Sequence, residues 1–254
     1  MTSKKAKLKS QLDELADRYN HPNFIVKDPI SIPHRYSRQQ DIEIAGFFAA
    51  TLAWGNRTSI IQSTHRILEA MDHAPYDFLL HHEEPDLKRF LHLKHRTFNA
   101  TDLLYFILRL KLHYQQYDSL ESAFLLGQTN STCDRLIAFH DYFFEIEHPH
   151  RTRKHVSTPI RQSACKRLNM YLRWMVRNDN RGVDFGIWKN IKAADLICPL
   201  DVHSGRVALS FGLISENKAN WKTAESLTDA LRKFDPMDPV KYDFALFGFG
   251  VNLM

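Results

Sequence analysis

Apolar residues recur at steps of three and four positions along most of this chain, which is the spacing of one face of an α-helix. The stretch 101–114 shows the pattern most clearly, with Leu103, Phe106, Ile107 and Leu110 on one side. No stretch keeps apolar and polar residues alternating for long, as a half-buried β-strand would require. The pattern therefore predicts an all-α protein.

Residues 37–54 predict a helix of a different kind, because the interior IEIAGFFAATLAW is apolar nearly all round. Such a helix is expected at the centre of a bundle. Ser37 is predicted to cap it and Gly55 to end it. The other predicted helices cover residues 4–20, 56–71, 101–114, 118–126, 131–147, 162–177, 202–211, 220–233 and 239–247. The last of these is predicted to begin with Asp238 as N-cap and Pro239 in the first position.

A chain of 254 residues, 44% of them apolar, is long enough to bury a large core. We expect one helical unit over residues 1–254, built from two subdomains around a cleft. The first would be a helical bundle over residues 37–150, and the second would comprise residues 151–254 together with the N-terminal helix. Only 9 Gly and 10 Pro occur, which disfavours a fold made of many tight turns and short strands.

Three further features bound the class of protein. Cys133, Cys165 and Cys198 are odd in number and far apart, so they predict neither a disulfide framework nor an iron–sulfur cluster. The first ten residues, MTSKKAKLKS, lack the apolar core of a secretory signal. The longest nearly apolar run, residues 44–54, is about half of a membrane span. We therefore expect a cytoplasmic protein that does not contact membranes and has no cofactor.

Positive charge is concentrated in residues 151–181, which contain nine Lys or Arg and a single acid, Asp179. The segment has a formal charge of +8, whereas the whole chain has +5, so the remainder is negative. A local excess of this size indicates a functional surface rather than a device for solubility.

We predict that a helix beginning near Gln162 or Ser163 runs through this basic segment with Lys166 in its first turn. Steps of three and four residues lead from Lys166 to Arg173 and Arg177. These side chains are therefore predicted to form a cationic stripe along one face, with an apolar buried face opposite.

The surroundings of Lys166 favour an unusual lysine. The positive end of the helix dipole and the flanking Arg161 and Arg167 disfavour a further positive charge on its amine. A nucleophilic lysine needs to be partly neutral, so this position suits one. A solvated base on a charged face would have the same sequence pattern.

Asp201 lies in the stretch CPLDVHSGR, which is typical of the start of a helix. We predict that its carboxylate accepts a hydrogen bond from the amide of His203 or Ser204 and caps a helix over residues 202–211. One carboxylate oxygen then points away from the helix and can act on a lysine or a developing cation. A two-residue step turns the His203 side chain about 200° away, which favours an orienting or phosphate-contacting role for it.

Lys166 followed 35 positions later by the aspartate of PLDVH resembles the lysine–aspartate pair of the helix-hairpin-helix DNA glycosylase superfamily. The wide spacing is similar to that of the archaeal 8-oxoguanine DNA glycosylase branch. ACKRLNMYLRWMVR, GVDFGIW, PLDVHSGR and FDPMDPVKYDFALFGFG resemble a bacterial family that we place within this superfamily. The glycine-rich hairpin of the common branch is absent, and residues 161–164 stand in its place. AATLAWGNRTS resembles the early helix and turn beside the DNA.

This resemblance implies a monomeric DNA repair glycosylase that acts on double-stranded DNA. A damaged base, by analogy an oxidised purine, would be excised through a Schiff base on Lys166, and β-elimination can then nick the strand. Asp201 would take a proton from the lysine or stabilise the sugar cation. DNA contacts are implied for Arg57, Arg161, Arg167, Arg173, Arg177, His203 and Arg206. A pocket for the extruded base is implied for Trp54, Asn56, Trp174 and Phe244.

Two alternatives stay open at this point. A non-catalytic nucleic-acid binder would use Lys166 only as a phosphate contact. A metal-dependent hydrolase is suggested by the 14 histidines, although no H-E-x-x-H arrangement is present. The residues that would serve such a hydrolase are His81, His82, His92, His95, Asp235, Asp238 and Asp243.

Overall fold

The computed structural model describes residues 3–127, 129 and 131–252. These residues form α-helices, short 3-10 helices and two isolated β-bridges, with no β-strand among them. The prediction of an all-α protein is confirmed. The α-helices are α1 (Ser3–Tyr19), α2 (Gln39–Thr51), α3 (Arg57–Glu69), α4 (Pro75–His81), α5 (Ala100–Tyr114), α6 (Thr132–Phe143), α7 (Lys166–Val176), α8 (Val202–Ser210), α9 (Trp221–Arg232) and α10 (Tyr242–Asn252).

Some predicted helix ends are wrong in detail. Helix α2 begins one residue later than expected, so Arg38 rather than Ser37 is its N-cap. The predicted helix over 118–126 is only a 3-10 turn, Leu120–Phe124. Pro239 does occupy a first helical position, but Asp238 forms no capping hydrogen bond there. Its side chain instead accepts a hydrogen bond from Nε of Arg177 at 2.8 Å.

The chain divides into two compact units. The terminal unit comprises Met1–Phe24, Asn130–Cys133 and Thr158–Met254, and the middle unit comprises Ile25–Thr129 and Asp134–Ser157. Residues 25–36 and 151–157 therefore belong to the middle unit, although 151–157 were predicted to belong with the C-terminal residues. In the described part of the chain, no helix has the length and apolar character needed to cross a membrane.

The middle unit is built around α2, which is buried along its whole length from Ile42 to Thr51. Phe47 on this helix stacks with Phe106 of α5 and meets Phe139 and Phe143 of α6, with ring centroids 5.6–5.9 Å apart. The expectation that this nearly all-apolar helix is buried at the centre of a bundle is confirmed, because a helix that is apolar nearly all round has to be covered on every side.

The middle unit also contains a buried polar cluster around Asp102. Its buried carboxylate accepts hydrogen bonds from Oγ1 of Thr152 at 2.8 Å and from Nη1 of Arg151 at 2.6 Å, and Nε2 of His155 lies 3.2 Å away. Burial raises the pKa of Asp102, but the hydrogen bonds from His155, Asn99 and Thr152 outweigh that effect and lower it to about 2.

This depressed pKa predicts that Asp102 contributes to acid stability. Because the folded pKa lies below the unfolded value of 3.8, the stabilisation is present above about pH 4. It is lost as the pH falls toward 2. A shift of nearly two pKa units corresponds to about 2.5 kcal/mol. Urea unfolding of Asp102→Asn and wild type should therefore differ most at pH 6, and the difference should shrink toward zero as the pH approaches 2. The exposed Asp118→Asn variant is the control, and a pH-independent difference for Asp102→Asn would contradict the prediction.

The terminal unit is organised by α10, which packs against both α1 and α8. Two glycines allow these helices to approach closely. A Cβ atom on Gly248 would overlap the ring of Tyr19 in α1, and one on Gly250 would lie 3.2 Å from the carbonyl oxygen of His203 in α8. The aromatic side chain of Phe244 is fully buried in this unit.

Candidate active site

Lys166 is the first residue of α7, and the turn before it is held in an unusual backbone conformation. Gln162 has φ 57° and Cys165 has φ 47°, both in the left-handed region. The amide of Cys165 donates to Oγ of Ser163 at 3.2 Å, and the amide of Trp221 donates to the Gln162 carbonyl at 3.2 Å. Helix α7 therefore begins three to four residues later than predicted, because left-handed residues cannot continue a right-handed helix.

Two left-handed residues that are not glycine concentrate strain directly before Lys166. Such residues each cost about 1–2 kcal/mol and persist where the surrounding structure holds them. Gln162 is exposed, so a glycine there loses no packing. We expect Gln162→Gly to stabilise the protein by up to about 1 kcal/mol in urea unfolding. Gln162→Ala, which keeps the Cβ atom, should gain nothing, and equal stability of the two variants would contradict the assignment of strain.

Asp201 caps α8 as predicted. Its Oδ1 accepts hydrogen bonds from the amides of His203 and Ser204, both at 2.9 Å. In return, the Asp201 amide donates to Oγ of Ser204 at 2.9 Å, which completes a reciprocal cap. The carboxylate is thereby fixed in orientation, and Oδ2 stays outside the cap.

The Oδ2 oxygen of Asp201 lies 3.7 Å from Nζ of Lys166. The separation is that of an ion pair rather than of a hydrogen bond. The two side chains are 27% and 24% exposed, so both can be reached from solvent. The ring of Phe247 in α10 lies 6.0 Å from the same Nζ atom. An amine, an adjacent carboxylate and access from outside are the minimum for amine chemistry on a carbonyl or an activated sugar carbon.

Arg173 and Arg177 do not form an exposed stripe, and that prediction is wrong. Both side chains are buried. Arg173 pairs with Asp184 and, through a very short contact, with Asp243 of α10. Because their guanidinium groups are used inside the terminal unit, these two arginines are not available to DNA phosphates.

Arg177 belongs to the same buried network. Its Nη1 lies 2.6 Å from Asp179 and 3.1 Å from Asp184, while its Nε donates to Asp238 at 2.8 Å. Burial lowers the pKa of Arg177, but the surrounding carboxylates outweigh that effect and raise it. The guanidinium is therefore charged and structural. The sequence spacing correctly put Arg173 and Arg177 on one face of α7, but that face is buried rather than exposed.

Asp243 links this network electrostatically to the Lys166–Asp201 pair. Burial raises the pKa of Asp243 to about 6, and Arg173 opposes the shift. The nearby negative charge of Asp201 also raises it, and the positive charge of Lys166 lowers it. Cys198 is buried beside them, and burial raises the pKa of its thiol well above the usual value. Cys198 is consequently unsuited to nucleophilic chemistry.

Four predicted DNA contacts remain accessible in the terminal unit. Arg161 and Arg206 are exposed, whereas Arg167 and His203 are half-buried. Burial lowers the pKa of Arg167 to about 10, so it is still a cation at neutral pH. Their role as phosphate contacts stays a prediction.

Two of the predicted base-pocket residues lie in the core instead. Trp174 and Phe244 are both fully buried. The Phe244 ring is covered by Arg173, whose Cζ lies 4.3 Å from the ring centroid. Neither side chain can stack on an extruded base, so these assignments are wrong. Each side chain lies on the buried face of its helix, Trp174 on α7 and Phe244 on α10.

Trp54, Asn56 and Arg57 belong to the middle unit, whereas Lys166 and Asp201 belong to the terminal unit. Asn56 caps α3 by accepting a hydrogen bond from the Ser59 amide at 3.2 Å. The Trp54 ring is half-buried, with His95 edge-on at 5.0 Å and His155 at 5.9 Å between ring centroids. Their roles beside DNA stay predictions.

Most of the residues that suggested a metal site have other partners. The rings of His81 and His82 bond carbonyl oxygens of their own helix, at 2.9 Å each. His95 contacts Ser63 and the Trp54 carbonyl, and Asp235 pairs with Lys241 at 2.6 Å. Within the described residues, no group of three or more His, Cys, Asp or Glu is arranged to hold a metal ion.

Asp243 and Phe247 lie next to the candidate pair, and Asp184 lies in the adjoining buried network; none of the three was predicted as part of the site. Asp184 and Asp243 neutralise the arginines of α7, and Phe247 faces the Lys166 amine. The acidic residues elsewhere in the chain could have suggested that the α7 arginines have ion-pair partners. No local pattern could have indicated which acids, because the contacts join segments that are far apart along the chain.

Comparison with known proteins assigns the chain to one family. The family model described as "Protein of unknown function (DUF2400)" matches residues 28–252. The chain belongs to the DUF2400 family. No curated protein and no solved structure matches it. The DUF2400 match includes Lys166, Asp201 and every residue of the buried network around Arg173 and Arg177, so the whole candidate site lies within the family domain.

Proposed function

We propose that this protein is a DNA glycosylase with lyase activity that excises a damaged base through a Schiff base on Lys166. One observation carries the proposal: the Lys166 amine lies 3.7 Å from a carboxylate oxygen that the α8 cap leaves unused, and both groups are partly exposed. The all-helical framework and the resemblance of residues 160–212 to helix-hairpin-helix glycosylases are consistent with it. We extend the proposal to a glycosylase-like arrangement of the helices.

The proposed reaction begins with a nucleotide whose base has been turned out of the duplex. Asp201 accepts a proton from the Lys166 ammonium, and the neutral amine attacks the sugar C1′. The C1′–N bond to the base breaks as the new C1′–N bond forms, and the electron pair leaves with the base, which takes up a proton.

Ring opening then completes the covalent intermediate. The C1′–O4′ bond breaks, O4′ takes up a proton, and the lysine nitrogen becomes an iminium ion. Water can hydrolyse the iminium and restore the amine. Alternatively, loss of a C2′ proton expels the 3′ phosphate and nicks the strand. Each step requires only the side chains, the substrate and water, so no cofactor is needed.

Phosphate binding in this proposal falls to the cations that remain accessible. Arg161 lies in the turn before α7, Arg167 follows Lys166, and Arg206 lies in α8 one turn beyond the Asp201 cap. Contacts of this kind position DNA without reading its sequence, and they weaken steeply as salt rises. An oxidised purine is the proposed base, by analogy with the archaeal branch.

The decisive experiment is borohydride trapping with duplexes that each contain one damaged base, one abasic site or no lesion. Borohydride reduces the iminium to a stable amine, so an active enzyme becomes covalently joined to DNA. Mass spectrometry of the digested complex should locate the adduct on Lys166. No adduct with any duplex, or an adduct on another lysine, would overturn the proposal.

Asp201 is expected to affect trapping and stability separately. Asp201→Asn keeps an oxygen that can cap α8, so stability should change by less than about 0.5 kcal/mol. It lacks the base that takes the Lys166 proton, so single-turnover trapping should slow by about 100-fold or more. Asp201→Ala should slow trapping equally and also cost about 0.5–2 kcal/mol in urea unfolding. Trapping by Asp201→Asn at the wild-type rate would remove Asp201 from the chemistry.

A further inference from the structure

Helix α10 contacts the helices that bear both members of the candidate pair. On the α7 side, the Phe247 ring lies 6.0 Å from Nζ of Lys166. One turn earlier on α10, Asp243 pairs with Arg173, which is two turns beyond Lys166. Helix α7 therefore approaches α10 at two points, near its first residue and two turns later.

On the α8 side, the contact is made by backbone. A Cβ atom on Gly250 would lie 3.2 Å from the carbonyl oxygen of His203 and 3.2 Å from Cγ2 of Val207. His203 belongs to the first turn of α8, and its amide donates to Asp201. The turn that orients the Asp201 carboxylate thus rests directly on α10, at a point where an added Cβ would be in tight contact and the neighbouring atoms would have to move by a few tenths of an ångström.

We propose that Gly250 is a positioning residue that sets the distance between Lys166 and Asp201, an inference that rests on the proposed function of this pair. Helix α10 acts as a spacer: Phe247 and Asp243 hold the α7 side, and the bare backbone at Gly250 holds the α8 side. A methyl group at position 250 would push the first turn of α8 outward by a few tenths of an ångström.

The geometry of the pair makes it sensitive to such a shift. At 3.7 Å the amine and carboxylate are already near the 4 Å limit of an ion pair. Small misplacements of reacting groups slow enzymes by large factors, with about 1 Å costing on the order of 100-fold. Alanine is also a better helix former than glycine, so the substitution need not weaken α10 itself.

Gly250→Ala tests the inference, with Gly248→Ala as the matched control. Gly248 lies on the same helix, but its added Cβ would meet Tyr19 of α1 rather than α8. Circular dichroism is used to choose a temperature at which each variant is folded. If Gly248→Ala does not fold, Gly248→Ala/Tyr19→Ala, which removes the overlapping ring, replaces it as the control. We expect Gly250→Ala to slow single-turnover trapping by about tenfold or more while its duplex affinity changes less than twofold. The control should trap at the wild-type rate.

Equal slowing in both variants would show that position 250 acts only through packing and would overturn the inference. A wild-type rate in folded Gly250→Ala would overturn it as well. Adding Val207→Ala to Gly250→Ala removes one of the two contacts, and we expect this double variant to recover part of the lost rate.

Failure of the proposed function is recognised separately, because wild-type protein would then trap no DNA. Crystal structures of wild type, Gly250→Ala and Gly248→Ala decide the inference in that case. We expect the Lys166 Nζ–Asp201 Oδ2 distance to lengthen beyond the ion-pair limit only in Gly250→Ala. An unchanged distance in that variant would overturn the positioning role even though the chemistry itself had already been excluded.

Discussion

Lys166→Gln is expected to abolish borohydride trapping while leaving the fold and the affinity for DNA nearly unchanged. Glutamine is polar and only one atom shorter, but it has no amine that can attack C1′. Loss of a nucleophile typically removes about three orders of magnitude or more of rate. The Lys166–Asp201 pair is partly exposed, so breaking it should cost less than about 1 kcal/mol.

Single-turnover trapping and a binding titration on the same damaged duplex separate this outcome from its rival. Lys222→Gln, which removes an exposed lysine of the terminal unit in α9, is the control and should trap normally. Undiminished trapping by Lys166→Gln would exclude Lys166 as the nucleophile. Weaker binding in Lys166→Gln, with no trapping by wild type, would instead favour a non-catalytic nucleic-acid binder.

Arg173→Met is expected to give the largest loss of stability in the terminal unit. The Arg173 guanidinium is buried between the carboxylates of Asp184 and Asp243. Methionine fills similar space but leaves Asp243 buried beside an apolar side chain. Removing one partner of a buried ion pair costs about 3–5 kcal/mol, because the remaining charge keeps its desolvation penalty. Urea unfolding at pH 7 measures the difference directly.

Two comparisons test the cause of that loss. Arg181→Met breaks an exposed ion pair with Asp17 and should cost about 1 kcal/mol or less. In Arg173→Met/Asp243→Leu the stranded carboxylate is removed, so much of the lost stability should return. If the double variant is no more stable than Arg173→Met, packing around Arg173 rather than unpaired charge determines the effect.

The helices themselves were largely predictable from local pattern. Apolar residues spaced three and four positions apart predicted α5 and α9, and the stretch that is apolar nearly all round predicted the buried α2. Asp201 was recognised as the residue that caps α8, because capping depends on neighbours two or three positions away. The turn before α7 was not predicted. Residues 162–165 contain no glycine, so their sequence does not indicate that two of them adopt the left-handed conformation.

The role of the basic residues was harder to predict from sequence than the positions of the helices. A count of nine bases and one acid over residues 151–181 correctly marked the segment as unusual. It could not show that Arg173 and Arg177 are neutralised by Asp184, Asp238 and Asp243, which all lie beyond the end of that segment. An arginine on a helix has the same local pattern whether its face meets water or a distant carboxylate.

The sequence by itself determined the helical class, most helices and the two residues whose proximity the proposed chemistry needs. Tertiary structure decided that Lys166 and Asp201 approach within 3.7 Å, and that the apparent cationic stripe is an internal network. It also decided that α10 contacts both the start of α7 and the first turn of α8. The physical reason is range: hydrogen bonds within a turn follow from adjacent residues, whereas ion pairs and helix contacts depend on which distant surfaces the folded core brings together.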